Sequence, residues 1–305
     1  MALLEGKVAI VTGAGRGVGR GEALALAAHG ARVIVNDLGV AVDGTGTDQR
    51  PAEEVVEEIR AAGGEAEPNF GDVSSWGGAE RLIQQAIDTW GRLDILVNNA
   101  GILRDRIIWN MTEEEWDAVI RVHLKGTFCA TRHAVAHWRA KHKAGEPVSG
   151  RIINTASAAM LGNPGQANYS AAKGAIAAFT LTVAVEVQAM GITCNAIRPS
   201  AATRMTQVVG AGPSPEASGE AEGFNPRDPK HVGEFVAFLA SDAAQWISGQ
   251  VFAAYGDKML LTKGWHTVAS IEKPGVGWTA DELVVAMPKM AGMAPVSMME
   301  QLGVG

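Results

Sequence analysis

The feature that most limits what this chain can fold into is a rhythm. Short runs, most of them rich in β-branched and other apolar residues, alternate with longer helical patterns. The runs fall at residues 7–12, 32–37, 65–70, 93–98, 151–155, 192–197 and 250–255. A strand with no polar side has no wet face, so it needs cover on both sides. Strand–helix–strand alternation supplies that cover and gives parallel pairing. The expected fold class is α/β, a single doubly wound parallel sheet with helices on both faces. Helices are predicted over 22–29, 51–62, 79–90, 112–141 and 169–190, and another from Pro229. The long one opens on a capping box, Thr112 with Glu115.

With 305 residues there is room for one large domain and a small appendage. Residues 1–256 carry the rhythm and are expected to form a dinucleotide-binding domain that also holds the catalytic site. Within it, a Gly-, Pro- and Ser-rich stretch at about 203–228 is expected to be a mobile substrate loop. Residues 39–50 are polar and longer than an ordinary strand–helix connection, which suggests an insertion with a role. Residues 257–305 break the pattern and carry Met259, Met287, Met290, Met293, Met298 and Met299. This extension is expected to pack on the body or on a neighbouring subunit, or to cover an apolar pocket, since thioether side chains adapt to irregular shapes.

Composition narrows the partners. Hydrophobic residues make up 47% and charged ones 19%, a globular balance, and the formal charge of −7 gives no support to a nucleic-acid face. The N-terminal residues lack the blocks of a signal peptide, and the charge-free stretch at 174–185 is too short to cross a bilayer. Two cysteines, Cys129 and Cys194, cannot build a disulfide framework. A cytoplasmic, membrane-free protein with reduced thiols is expected.

Five segments carry chemistry. Between the first strand and first helix lies Thr12-Gly13-Ala14-Gly15-Arg16-Gly17-Val18-Gly19. Glycines there let backbone N–H groups and a helix N-terminus approach a pyrophosphate. Asp37 closes the second strand, placed to accept the ribose hydroxyls of NAD and to repel the 2′-phosphate of NADP. Arg16 argues for NADP, but the negative charge of Asp37 would stand beside the extra phosphate, so NAD is the expected cofactor. Tyr169 and Lys173 stand four apart in a helical pattern, on one face. Ser157 follows the fifth strand and Asn98-Asn99-Ala100-Gly101 ends the fourth. All of these fall at the carboxyl ends of parallel strands, where open α/β sheets bind ligands.

Together these residues resemble the short-chain dehydrogenase/reductase family, over roughly residues 5–255. The resemblance implies a Rossmann-type sheet and NAD(P)-linked hydride transfer at an alcohol or ketone carbon. A free phenol titrates near 10, too high for a base near neutrality, and an adjacent ammonium lowers it. Tyr169 would then be the base in oxidation and the acid in reduction. Lys173 would tune it and hold the nicotinamide ribose, and Ser157 would bind the reacting oxygen. The resemblance also assigns Gly13, Arg16, Gly17, Val18, Gly19, Asp37, Asp72, Val73, Asn99, Ala100, Gly101, Pro199 and Thr203 to the cofactor. It implies a homodimer or homotetramer.

Departures refine this. A common family asparagine is replaced by His123, in Arg121-Val122-His123-Leu124-Lys125, which is either a direct participant or only a backbone contributor. His133 and His137 are spaced like a metal pair but have no third ligand, so no metal is expected. The segments 35–39, 99–106 and 165–173 are similar to the hydroxyacyl-CoA dehydrogenase domain of peroxisomal multifunctional enzyme type 2. That similarity implies a 3-hydroxyacyl-CoA substrate, with a bulky or steroid-like acyl group among the candidates. Trp109, Met160 and Leu161 suit an apolar lining and suit core packing equally well. The alternatives are a hydroxysteroid or simple alcohol dehydrogenase that needs no CoA, and a non-catalytic NAD-sensing protein.

Overall fold

The computed structural model describes residues 2–201, 224–264, 266–267 and 269–290. Thr203 and most of the expected substrate loop lie outside the described residues, as do Met293, Met298 and Met299. The chain divides into two units, residues 1–261 and 262–305.

The first unit is built on strands β1 (Val8–Thr12), β2 (Arg32–Asn36), β3 (Ala66–Asn69), β4 (Ile95–Asn98), β5 (Arg151–Thr155), β6 (Thr193–Ser200), β7 (Val251–Tyr255) and β8 (Lys258–Thr262). Their order is β3-β2-β1-β4-β5-β6-β7-β8. The first seven pair in parallel. The order reverses between β1 and β4, and an open sheet forms a ligand crevice above such a point.

The apolar runs are explained by alternation. Ala9 and Val11 of β1 face one side, against α1 (Gly17–Ala28), α2 (Arg50–Ala61) and α7 (Pro229–Ala240). Val8 and Ile10 face the other, against α3 (Trp76–Trp90), α5 (Gly126–Lys143) and α6 (Ala167–Val187). Ile10, Ile34, Leu96 and Ile152 are fully or almost fully buried there. Each such side chain contributes about 1.5–3 kcal/mol relative to exposure.

Four local readings are corrected by the structure. Helix α3 begins at Trp76, three residues before the predicted start, because Ser75 caps it by accepting from the Gly78 N–H. The predicted helix over 112–141 is α4 (Glu113–Ile120) and α5 joined through a π-helical turn, Arg121–Lys125. The capping box at Thr112 and Glu115 is present. The 250–255 strand is not the last: Gly256 and Asp257 turn the chain into β8, an edge strand whose Met259, Leu260 and Leu261 are exposed. Finally, the helical run through α6 to Met190 is long and apolar enough, by length and composition, to span a bilayer, more than its charge-free stretch suggested. It lies along the sheet and carries a buried Lys173 in its second turn.

Residues 39–50 pack against the segment after β4. Val42 O accepts from Leu103 N, and Asp43 O from Arg104 Nε. The second unit contains α8 (Ala280–Ala286), opened by a capping box of Thr279 and Glu282, and Lys273 pairs with Glu282.

Candidate active site

The glycine loop is shaped by its contacts. Gly13 has φ of +64°, and a Cβ there would sit 2.7 Å from Ala100 Cα. A Cβ on Gly19 would meet Gly13 O at 2.3 Å, so only glycine lets α1 start this close to β1 and β4. Helix α1 opens at Gly17 with no side-chain cap and no acidic residue in its first turn. Its leading N–H groups therefore remain available to an anion. This cradle fits a dinucleotide pyrophosphate.

Asp37 does two jobs. One carboxylate oxygen accepts from Gly15 N at 2.8 Å and the other from Gly39 N at 2.6 Å. The carboxylate thus fixes the loop, with lone pairs left for a ribose. Arg16 is exposed, and Asp48 of the 39–50 segment is paired with Arg50.

Asn99 turns out to be a fastener. Its Nδ2 donates to Thr12 O and Gly13 O, while Thr12 Oγ1 accepts from the N–H groups of Asn99 and Ala100. Asn98, just before it, joins a buried ladder. Its Nδ2 donates to Thr131 and to Asn154 Oδ1, and Asn154 donates onward to Thr180. Asp72 accepts from Ser74 and pairs with Arg121, and Val73 is buried against Gly126. Pro199 lies near the end of β6.

The reactive side chains converge above β4 and β5. Tyr169 and Lys173 lie one turn apart on α6, with the Lys173 Nζ 5.5 Å from the Tyr169 ring centre. The ammonium is buried and donates to Thr155 O, at the end of β5. The Ser157 hydroxyl, two residues on, accepts from Ala159 N and acts on the Tyr169 hydroxyl in the direction that favours the phenolate. Desolvation pushes the phenol up to about 12, with the Ser157 hydrogen bond opposing and the Asp105 charge assisting. Burial pulls Lys173 down to about 7, opposed by the charge of Glu22. At neutral pH the phenol is therefore protonated and the lysine about half charged.

His123 sits in the π-helical turn, wholly buried, edge-on to the Tyr169 ring at 5.1 Å between centres. Its Nε2 lies 3.1 Å from Ile102 N and 2.8 Å from Ile102 O. Burial drops its pKa to about 3, so the ring stays neutral across the physiological range. A Cβ on Gly101 would collide with it. The side chain therefore supports Tyr169 and the Gly101-Ile102 turn as a neutral wedge.

Several participants escaped the sequence reading. Asn168 anchors the start of α6 on Arg104 O and Glu115 O, and Gln166 donates to Asp105. Asp105 is raised by burial. The only sequence signal for these was position, immediately before Tyr169 and after the Asn-Asn-Ala-Gly segment. Glu22 offered a clearer one, a lone acid inside an Ala/Leu-rich helix. Of the apolar candidates, Met160 packs into a small core cluster, whereas Trp109 is 78% exposed. His133 stacks edge-on against Trp76. Among the described residues no three His, Cys, Asp or Glu side chains gather as a metal site.

Comparison with known proteins agrees with this geometry. The short chain dehydrogenase family pattern matches residues 7–213. The chain belongs to that family. It is 46% identical over 292 residues to hydroxyacyl-CoA dehydrogenase ChsB1 of Mycobacterium tuberculosis, covering 93% of this chain and 88% of that protein. It is 48% identical over 206 residues to peroxisomal multifunctional enzyme type 2 of mouse, covering 67% of this chain but 27% of that much longer protein. A crystal structure of a short chain dehydrogenase from Mycobacterium avium superposes with a TM-score of 0.84 at 48% identity, over 96% of this chain and 97% of that one. The protein is therefore an oxidoreductase of a family that works with nicotinamide cofactors.

Proposed function

We propose that this protein is an NAD-dependent dehydrogenase that oxidises the 3-hydroxyl of a 3-hydroxyacyl-CoA, or reduces the corresponding 3-oxoacyl thioester. The observation that carries the reading is the near full-length identity to a protein named a hydroxyacyl-CoA dehydrogenase. The Ser157–Tyr169–Lys173 arrangement gives it a mechanism.

In the oxidative direction the Tyr169 phenolate takes the substrate hydroxyl proton as hydride leaves the same carbon. When bound, the nicotinamide supplies the hydride acceptor. Ser157 hydrogen-bonds the reacting oxygen. Lys173, held as an ammonium on Thr155 O, stabilises the phenolate. Asn99, through Thr12 and Gly13, keeps the cofactor-facing end of β4 in register with the glycine loop. For NAD over NADP, the support is the Asp37 carboxylate at the glycine loop. Trp76 and Phe128, exposed and 6.1 Å apart between ring centres, and Leu181 and Val185 on α6, support a second copy of the chain on this face.

Comparing kcat/KM for a 3-hydroxyacyl-CoA and its free 3-hydroxy acid tests the substrate. The thioester should be preferred by at least about a hundredfold, worth about 2.7 kcal/mol of transition-state binding. Equal values, or better turnover of a free hydroxysteroid, would defeat the CoA reading and leave a dehydrogenase of simple or steroid alcohols.

A further inference from the structure

Asn168, the residue before Tyr169, is completely buried. Its Nδ2 donates to Arg104 O at 2.9 Å and to Glu115 O at 3.0 Å, and its Oδ1 accepts from Tyr169 N at 2.7 Å. Two carbonyls and one N–H group leave the amide only one way to face. They also dictate the residue type. Aspartate has the same shape but no donors when ionised, and leucine has the bulk but neither donor nor acceptor.

The position gives these bonds their reach. Helix α6 begins at Ala167, and Gln166 before it provides no side-chain cap. The leading N–H groups of a helix have no partner within it. Asn168 supplies one for Tyr169, and its two donors leave α6 for chain that lies 64 and 53 positions earlier. Arg104 belongs to the segment that follows the cofactor-facing end of β4, and Glu115 belongs to α4.

A second strut runs beside the first. Arg106 N donates to Gly165 O at 2.7 Å, and Gln166 Nε2 donates to Asp105 Oδ2 at 2.7 Å. The Arg106 side chain pairs with Glu115, whose carbonyl holds Asn168. One turn into α6, Ala172 packs with Ile102 and Val119 in a small buried cluster that Tyr169 and Val40 of the 39–50 insertion join. The insertion also holds Leu103 N and Arg104 Nε on its carbonyls. A continuous path therefore runs from the glycine loop, through Asn99 and residues 102–104, to the backbone of Tyr169.

We infer that Asn168 is a positioning residue for the reaction: its amide ties the backbone that carries Tyr169 to the segment after β4, which holds the phenol in register with the dinucleotide site. The inference rests on Tyr169 being the group that moves the proton in the proposed reaction. Proton and hydride leave the same H–C–O–H unit, so the phenol and the nucleotide site must be placed together. A misplacement of about 1 Å costs about a hundredfold in rate.

The test is Asn168→Ala and Asn168→Asp in the full-length protein, with kcat expressed per site that binds NAD, so that misfolded protein does not count. Both variants should lose about a hundredfold in kcat, while the KM for NAD stays within about threefold. Aspartate is the discriminating variant. It keeps the oxygen that caps Tyr169 N and loses the two donors that reach Arg104 O and Glu115 O. A residue that merely caps the helix would be rescued by aspartate, so parent kcat in Asn168→Asp would overturn the inference. Parent kcat per site in Asn168→Ala, even with a lower melting temperature, would overturn it as well. Tyr169→Phe, assayed alongside, separates the layers. If it leaves turnover intact, the reading of the site itself fails; if it abolishes turnover while the Asn168 variants keep the parent kcat, only the role of Asn168 fails.

Discussion

Replacing Tyr169 with Phe lowers turnover by at least about a thousandfold and leaves dinucleotide affinity within a factor of about three. The change removes one oxygen. The ring still stacks edge-on to His123 and still lies under Lys173, so the shape of the cleft is kept. What disappears is the phenolic oxygen on which Ser157 acts and which the proposed mechanism uses as the base. Steady-state kinetics and equilibrium binding of the dinucleotide check the two halves separately. Comparable turnover in the variant would mean that another group moves the proton. His123 is a poor substitute, because burial holds it neutral with a pKa of about 3.

The second large effect is expected at Asp37. Asp37→Ala should narrow the NAD-over-NADP ratio of kcat/KM by at least about tenfold, since the charge that opposes a 2′-phosphate is gone. It should also lower the melting temperature. The carboxylate accepts from Gly15 N and Gly39 N, and leaving those donors unpaired costs about 1–3 kcal/mol each when they are buried, less where water reaches them. Asp37→Asn separates the roles. It keeps an acceptor for one N–H group and removes the charge, so specificity should relax with a smaller loss of stability. A ratio unchanged in both variants would place cofactor discrimination elsewhere, with Arg16 and Asp48 the next residues to change.

The architecture was legible because its signals are local. Strands buried on both faces must be apolar throughout, and their alternation sends Val8 and Ile10 one way and Ala9 and Val11 the other. Tyr169 and Lys173 were legible because four residues make one helical turn, and the glycine loop because no other residue fits there. The missed features depend on partners far away in sequence. The capping Ser75 was hidden behind two glycines. Strand β8 is an exposed edge with no inward-facing pattern to betray it. The double duty of Asp37, the fastening by Asn99 and the neutral wedge of His123 appear only when β1, β2 and β4 are side by side.

The central claim is that the Tyr169 phenol is brought into its working range by the cation beside it and a bound nicotinamide. The chain has two tyrosines, Tyr169 and Tyr255, so phenolate formation can be followed by ultraviolet difference absorbance, with Tyr169→Phe identifying the Tyr255 signal. In the cofactor-free protein Tyr169 should resist ionisation until about pH 12. Saturating oxidised dinucleotide should lower that midpoint by at least about two units, and Lys173→Met should erase most of the decrease. A midpoint that responds to neither the dinucleotide nor the loss of Lys173 would contradict the account.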